Sequence, residues 1–268
     1  FDPRGLTTAA PDLDGDGIVS EEEVFEFMKF DPEEVTAYEL GWKSTLWNGR
    51  MTSAMAVFYN DYTDVQIPGS IGLDSDGDGI VETFIGITTN AGKATIKGFE
   101  WEGSALLGND LGRSGADLLF RWALGYIDAE YDEFIDITGE DVADQRVFQN
   151  TPEWTASGTL NYTLPASMFN ADGLWNFITT LSYRDDTSQF EVPNEFLDQP
   201  SYTLWDASIL WTTESQHWQF GIHGKNLTDE EYKVAGYFFP TTGLESNITA
   251  FYGNPRQIWA TVEYRWFQ

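Results

Sequence analysis

The chain has 268 residues, no cysteine and a formal net charge of -30 at neutral pH. This acidity argues against a nucleic-acid partner, whose phosphates require an excess of Lys and Arg, and favours divalent cations or cationic groups. The lack of cysteine removes disulfides and thiolate chemistry, and it suits an exported protein held by a hydrogen-bonded sheet. No apolar run reaches the length of a transmembrane helix, so only strands could cross a bilayer.

The first 31 residues do not have the pattern of strands. The segment 12–23 matches the twelve-residue EF-hand calcium loop, because it supplies oxygen ligands at the informative positions and Gly17 at the sharp turn. The predicted Ca²⁺ ligands are Asp12, Asp14, Asp16, the carbonyl of Ile18, Ser20 and the bidentate Glu23. Apolar residues after the loop predict a short amphipathic helix. The alternative is an acidic turn without a bound ion.

From Pro32 onward the sequence alternates with the period of two that strands require. Asn48 and Gly49 form the strongest two-residue hairpin signal and predict a tight turn between strands 35–47 and 50–67. In the second of these strands, Met51, Ser53, Met55, Val57 and Tyr59 form one face. The tight turn should mark one end of the sheet.

A second acidic loop follows at the opposite end of that strand, between residues 68 and 83. It repeats the calcium pattern with Asp74, Asp76, Asp78, Ile80 and Glu82, but Ile85 stands where the bidentate carboxylate belongs. We therefore expect this second Ca²⁺ site to be weaker than the first or to take an oxygen from elsewhere. The alternative is again an acidic, turn-rich loop.

Further strands are predicted at 85–107, 116–131, 146–164, 174–190, 201–213, 218–226 and 256–268. The closing strand places Ile258, Ala260, Val262, Tyr264 and Trp266 on one face. The total is about nine strands, and their connections are alternately short and long, as in outer-membrane barrels. Both acidic loops fall on the long side, which predicts an extracellular position. An odd number does not close such a barrel, so we expect other strands outside this segment.

Exposed aromatic residues occur in the last long connection, 227–255, which precedes the closing strand. Tyr237, Phe238, Phe239, Phe251 and Tyr252 are candidates for ligand contact, because aromatics at a vestibule often form a binding surface. The alternative is that they pack only against neighbouring loops.

Several stretches resemble TonB-dependent outer-membrane receptors, and they occur in the order found in that family. They are Pro32 to Lys43, Phe58 to Gln66, Asn90 to Glu100, Asn150 to Pro152, Lys225 to Tyr232 and the closing aromatic strand. Each is weak alone, but together they cover residues 32–268. Two features depart from the family: the acidic calcium-type loops, and Phe267 and Gln268, which follow the terminal aromatic Trp266.

The resemblance implies an all-β, antiparallel transmembrane β-barrel of the outer membrane, of which this chain holds the last part of 22 strands. Residues 1–31 would be an extracellular loop and 32–268 the C-terminal strands. A preceding portion would hold the signal peptide, the TonB box, the plug and the earlier strands. The partners implied are outer-membrane lipid, the TonB complex and a scarce ligand, most often a ferric siderophore, with haem, cobalamin or glycans in other branches.

Two other function classes compete with a receptor. A calcium-dependent lectin or adhesin would bury the same alternating faces between two stacked sheets. An enzyme is disfavoured, because the two histidines, His217 and His223, lie at a predicted turn and on a predicted inner face, with no nucleophile motif nearby. Calcium would either stabilise a self-repelling loop or bridge to a ligand. The structural role is favoured, because the first loop supplies a complete ligand set.

Overall fold

The computed structural model describes residues 14–73, 83–90, 92–136, 139–239 and 247–266. Within them, one helix precedes the strands, α1 (Glu21–Phe27). The strands are β1 (Glu34–Leu46), β2 (Met51–Thr63), β3 (Gln66–Leu73), β4 (Thr83–Asn90), β5 (Gly92–Gly108), β6 (Asp117–Phe134), β7 (Trp154–Pro165), β8 (Gly173–Arg184), β9 (Tyr202–Thr213), β10 (Trp218–Lys225), β11 (Lys233–Phe239), β12 (Asn247–Tyr252) and β13 (Gln257–Tyr264). No helix in the described part of the chain is long and apolar enough to cross a membrane.

A single 9-stranded sheet contains the long strands, in the order β1-β2-β5-β6-β7-β8-β9-β10-β13. Every neighbouring pair is antiparallel. The predicted nine-stranded antiparallel sheet is therefore confirmed. Two separate 2-stranded sheets, β3 with β4 and β11 with β12, lie in the long connections.

Short and long connections alternate as predicted, but several boundaries were wrong. The first turn covers residues 47–50 rather than two residues, because Trp47, Asn48 and Gly49 all have positive φ. The strand predicted to reach Ile67 ends at Thr63, and residues 83–90 form β4 rather than the start of β5. The connection predicted as a loop at 227–255 contains the hairpin β11–β12.

Two other strands are shorter than the alternating pattern suggested. The strand predicted from residue 146 begins at Trp154, since Asn150 has a φ of 51° and Pro152 cannot donate a ladder hydrogen bond. The strand predicted to extend to residue 190 ends at Arg184. Both corrections lengthen the connections at the same end of the sheet.

One face of the nine-stranded sheet is apolar from edge to edge. The register aligns uncharged side chains across all nine strands on this face: residues 38–46 (even), 51–59 (odd), 99–105 (odd), 118–126 (even), 154–164 (even), 175–183 (odd), 203–211 (odd), 218–224 (even) and 258–264 (even). Leu40, Leu181, Ile222 and Val262 remain more than half exposed on it. A stacked sandwich would have covered these side chains, so the lectin-like arrangement is not the fold.

Aromatic residues border this apolar face at both strand ends. At the long-connection end, Tyr126 contacts Trp154 with ring centroids 4.7 Å apart. At the short-turn end, the ring of Tyr264 lies between those of Trp218 and Trp266, with centroid distances of 4.6 and 4.7 Å. Two aromatic rows flanking an apolar band are the arrangement of a sheet that spans a bilayer.

The opposite face is polar and hydrogen-bonded between strands. Thr159 bonds Thr180 at 2.9 Å, and Thr163 donates to Asn176 at 2.9 Å. Charged residues also lie here, among them Glu100, Glu102 and Arg184. This polar face is the luminal side of a barrel wall.

Adjacent residues on β8 offer a direct test of the two faces. Leu181 points to the apolar face and is 55% exposed, whereas Ser182 lines the polar groove. We expect Leu181→Lys to destabilise the protein refolded in lipid vesicles, because a lysine in hydrocarbon costs up to about 2–4 kcal/mol at the midplane. Ser182→Lys should leave the free energy of urea unfolding nearly unchanged. Equal effects of the two substitutions would refute the assignment of faces.

Candidate ligand-recognition and calcium sites

A small apolar core, which we call the outer apolar core, lies at the end of the sheet where the long connections begin. Its buried residues come from the β2–β3 junction, β5, β6 and the connection after β6: Val65, Ile67, Ala94, Phe134 and Val142. Tyr62, Tyr131, Ala143 and Phe148 pack against them. This core fixes the base of the β3–β4 hairpin against the connection 135–153.

The connection 135–153 is closed by hydrogen bonds to its own backbone. The Asp141 carboxylate accepts from the N–H groups of Phe134 and Ala143 at 3.0 and 3.1 Å. These two donors lower the pKa of the Asp141 carboxyl, so it stays ionised. Tyr131 stacks on Phe148, with ring centroids 4.2 Å apart.

The next connection, 185–201, runs beside 135–153 and is joined to it through the backbone. The N–H of Val147 donates to the carbonyl of Glu191, and that of Asn150 to Ser188, both at 2.9 Å. The guanidinium of Arg184 also donates to the Asn150 carbonyl at 2.9 Å. The two connections therefore form one continuous surface.

The hairpin β11–β12 packs on the connection 185–201 through Lys233 and Leu197. The Lys233 ammonium donates to the carbonyls of Phe196 and Asp198, at 2.9 and 2.7 Å. The backbone N–H of Lys233 donates to the side-chain oxygen of Gln199 at 2.6 Å. Leu197 is fully buried against Gly236, where any side chain would collide with it. We call this set of contacts the Lys233 lock.

The predicted aromatic ligand contacts separate into two faces of this hairpin. Tyr237 and Phe251 lie on one face, with a T-shaped contact of 5.7 Å, and are 55% and 46% exposed. Phe238 pairs with Ile248 on the other face, and Phe239 ends β11 opposite Asn247. Tyr252 lies at the base, opposite Lys233, and is exposed. The structure thus brings Tyr237 and Phe251 together, turned away from Leu197.

A groove of about 690 Å³ crosses the polar face, from the long-connection end inward. Its charged lining residues are Glu39, Lys43, Glu100, Glu102 and Arg184. At its rim, Tyr202 pairs with Arg184 in register and stacks on Tyr232 at 4.6 Å. An arginine and two stacked aromatics can hold a planar or anionic group.

The first acidic loop has the local geometry that its sequence predicts. The carboxylate of Asp14 accepts from the N–H of Asp16 at 3.0 Å, and that of Asp16 from Ile18 at 2.7 Å. Gly15 and Gly17 have φ of 76° and 84°, which a side chain would disfavour. In calcium-loaded loops, a chain reversal at the glycine brings the ligand oxygens round one ion.

Glu23 closes this loop and begins α1. Its two carboxylate oxygens accept from the N–H groups of Asp14 and Ser20, at 3.2 and 2.7 Å, and it is buried. Ser20 in return caps the helix by accepting from the N–H of Glu23. These contacts turn the Glu23 carboxylate toward the backbone of the loop.

The remaining predicted ligands are Asp12 and the whole second set, Asp74, Asp76, Asp78, Ile80 and Glu82, which lie outside the described residues. Within the part of the chain that the structure describes, no three His, Cys, Asp or Glu side chains form a metal-holding group. The calcium sites therefore stay a prediction.

Both histidines make structural contacts. His223 lies on the polar face between Ser208 and Thr261, at 3.0 Å from each, and stacks on Trp259. His217 lies at the short turn as predicted, with its Nδ1 2.9 Å from the carbonyl of Arg265.

The chain matches a family model described as TonB dependent receptor-like, beta-barrel, over residues 10–227. The chain belongs to the TonB-dependent receptor family. It is therefore part of an outer-membrane receptor barrel, as its apolar band and aromatic rows indicated. The family consists of receptors and transporters, which agrees with the expectation of a non-enzyme.

Solved receptor structures have the same fold. The ferric yersiniabactin uptake receptor of Yersinia pestis is 20% identical, with a TM-score of 0.64, and the match covers 89% of this chain and 31% of that one. The ferric preacinetobactin receptor of Acinetobacter baumannii is 18% identical, with a TM-score of 0.58, covering 88% and 30%. A copper transporter is 14% identical, with a TM-score of 0.61, covering 93% and 33%. The chain thus spans about a third of the length of these receptors.

Sequence reasoning missed the residues that hold the receptor's loops together. Lys233 directly follows the family-like stretch that ends at Tyr232, and Arg184 is one of only 14 basic residues in a very acidic chain. The scarcity of basic residues could have identified Arg184 as a candidate functional residue. Nothing local distinguishes Leu197, because its burial depends on β11, a strand that lies 36 to 42 residues later in the chain (Lys233–Phe239).

The Lys233 lock can be tested in this receptor by hydrogen exchange. Lys233→Met removes two hydrogen bonds from a charged donor, so we expect amides of β11 and β12 to exchange at least about tenfold faster. Lys225→Met serves as the control, because the Lys225 side chain makes no such contact within the described residues. Unchanged exchange in the Lys233 variant would show that the lock does not hold the hairpin.

Proposed function

We propose that this chain is the C-terminal, ligand-contacting part of an energised outer-membrane importer, and that its cargo is a ferric siderophore or a similar iron complex. The observation that carries this proposal is membership of the TonB-dependent receptor family, together with solved relatives that are receptors for ferric yersiniabactin and ferric preacinetobactin. Force for import would come from the TonB complex, acting through a plug that precedes these strands in the whole protein.

The extracellular end supports a ligand of this kind. The exposed pair Tyr237 and Phe251 offers aromatic surface for rings, and the rim cluster of Arg184, Tyr202 and Tyr232 offers a cation beside stacked aromatics. Ferric siderophores combine planar groups with negative charge. The groove along the polar face then leads inward from this rim.

The net charge of -30 opposes the approach of an anionic complex. Calcium in the acidic loops would offset this charge, because each ion neutralises several carboxylates and fixes a loop that would otherwise repel itself. We therefore propose Ca²⁺ as a structural cofactor held by Asp12, Asp14, Asp16, Ile18, Ser20 and Glu23. A weaker ion would be held by Asp74, Asp76, Asp78, Ile80 and Glu82.

A glycan or cobalamin importer of the same family is the second candidate. Exposed aromatics also stack on sugar rings, so Tyr237 and Phe251 alone do not choose between cargoes. Regulation separates the candidates: repression of expression by iron selects a siderophore, and induction by a polysaccharide selects a glycan.

The aromatic face gives a direct functional test. We expect Tyr237→Ala combined with Phe251→Ala to lower growth-supporting uptake of the cognate iron complex at least about tenfold, because buried aromatic contacts dominate binding energy. The measurement is radiolabelled iron uptake by cells that carry only the variant receptor. Phe169→Ala is the matched control, since Phe169 is an aromatic that is 83% exposed at the opposite, short-turn end. Normal uptake by the double variant would remove these residues from the ligand site.

The calcium proposal is tested within the first loop. We expect Asp14→Asn with Asp16→Asn to abolish calcium protection of residues 12–28 against protease, since neutral amides replace two anionic ligands. Glu22→Gln is the control, because it removes one charge at a position that supplies no ligand in such loops. If chelator leaves loop cleavage unchanged in the unmodified protein, the loop does not bind calcium.

A further inference from the structure

The peptide backbone at Asp31 is held by side chains far along the chain. The Asn90 amide accepts from the N–H of Asp31 at 2.7 Å and donates to its carbonyl at 3.0 Å. Gln66 donates to the same carbonyl at 3.1 Å, and its own N–H donates to the Glu33 carboxylate at 3.1 Å. The backbone N–H and carbonyl of Asp31 are therefore bound by Gln66, the first residue of β3, and Asn90, the last residue of β4.

Asn90 also reaches a third segment. Its Nδ2 donates to the carbonyl of Asp64, at the end of β2, at 2.7 Å. The residue after β2, the segment before β1 and the end of β4 thus meet at one side chain. Only an amide fits, because the site needs one acceptor and two donors in the same plane.

The calcium-type loop and α1 form a small unit upstream of this junction. Val24 is fully buried, and the hydrophobic residues packed against it are Val19, Phe27 and Met28, all from the same unit. The sheet contributes nothing to this cluster among the described residues. The position of the unit therefore depends on the segment that connects it to β1, which is the segment bound at Asp31.

We propose that Asn90 and Gln66 form a backbone clamp that couples the first calcium loop to the β3–β4 hairpin. This inference rests on the proposed binding of calcium to the first loop. When calcium orders that loop, the clamp transmits the restraint to β3 and β4, whose connecting residues carry the second acidic motif in the sequence. Asn90 and Gln66 are positioning residues, not calcium ligands.

The clamp is positioned by the outer apolar core. Val65 and Ile67 flank Gln66 and are buried in that core, and the N–H of Val65 donates to the carbonyl of Gly92 at 3.1 Å. Gly92 has a φ of 137° and lies so close to Glu133 that a side chain would not fit. These contacts hold Gln66 in position at the start of β3.

Hydrogen exchange on the full protein, with calcium and with chelator, tests the clamp. In the unmodified protein we expect calcium to slow exchange in residues 14–28, at Asp31 and in β3 and β4. In Asn90→Ala, exchange at Asp31 should rise at least about tenfold in either condition, because its acceptor is lost. Calcium should still protect residues 14–28 in this variant, but no longer β3 and β4.

Two further variants keep the result interpretable. Asn90→Asp retains the acceptor for Asp31 but loses both donors, so it should uncouple the hairpin while protecting the Asp31 amide partly. Asn60→Ala is the matched control, since this β2 asparagine makes no side-chain hydrogen bond within the described residues. It should behave like the unmodified protein.

The possible failures are distinguishable. Calcium protection of β3 and β4 that persists in Asn90→Ala, or unchanged exchange at Asp31, overturns the clamp. No effect of calcium on residues 14–28 in the unmodified protein overturns the calcium proposal, and with it the coupling, whereas the Asp31 exchange then reports the clamp alone.

Discussion

The constraint on which this structure depends is that hydrocarbon offers no hydrogen-bond partners. Inside a bilayer, every backbone N–H and carbonyl must be paired within the sheet, and every outward side chain must be apolar. The registers of the nine strands pair every strand with its neighbours and align uncharged side chains on the outward face. Two indoles on the apolar face are also paired locally: that of Trp101 donates to Ser53 and that of Trp205 to Thr179, at 2.9 and 2.7 Å.

Beyond the sheet, where water is available, a different device stabilises the chain. Single side chains bind the backbone of distant segments, as Asn90 does at Asp31 and Lys233 does at Phe196 and Asp198. Asn226 does the same, donating to the carbonyls of Glu230 and Asn254. Such contacts fix a long connection without requiring a large apolar core, and they leave its outer surface free to vary with the ligand.

This difference explains which features the sequence could predict. The period of two arises because one face of the sheet meets lipid and the other meets water. The strands, and the face on which Met51 to Tyr59 alternate, could therefore be predicted from the sequence. Alternation does not stop where a strand bends, however. It continued past Asp64, whose φ of 56° separates β2 from β3, and so the separate hairpin was missed. Leu197 and Lys233 were missed because their partners are distant in sequence.

The long connections are in contact from one side of the sheet to the other. The clamp at Asn90 adjoins the outer apolar core, which packs against the connection 135–153. That connection is hydrogen-bonded to the connection 185–201. The β11–β12 hairpin is in turn attached to 185–201 by the Lys233 lock. Contiguity alone does not couple two sites, because an element must have two arrangements that both sites bias. The proposed calcium-dependent ordering of the first acidic loop would be such an element. If the proposed ions bind, their effect on the β11–β12 hairpin is limited by the weakest of these contacts. Between 135–153 and 185–201 the contact includes two backbone hydrogen bonds.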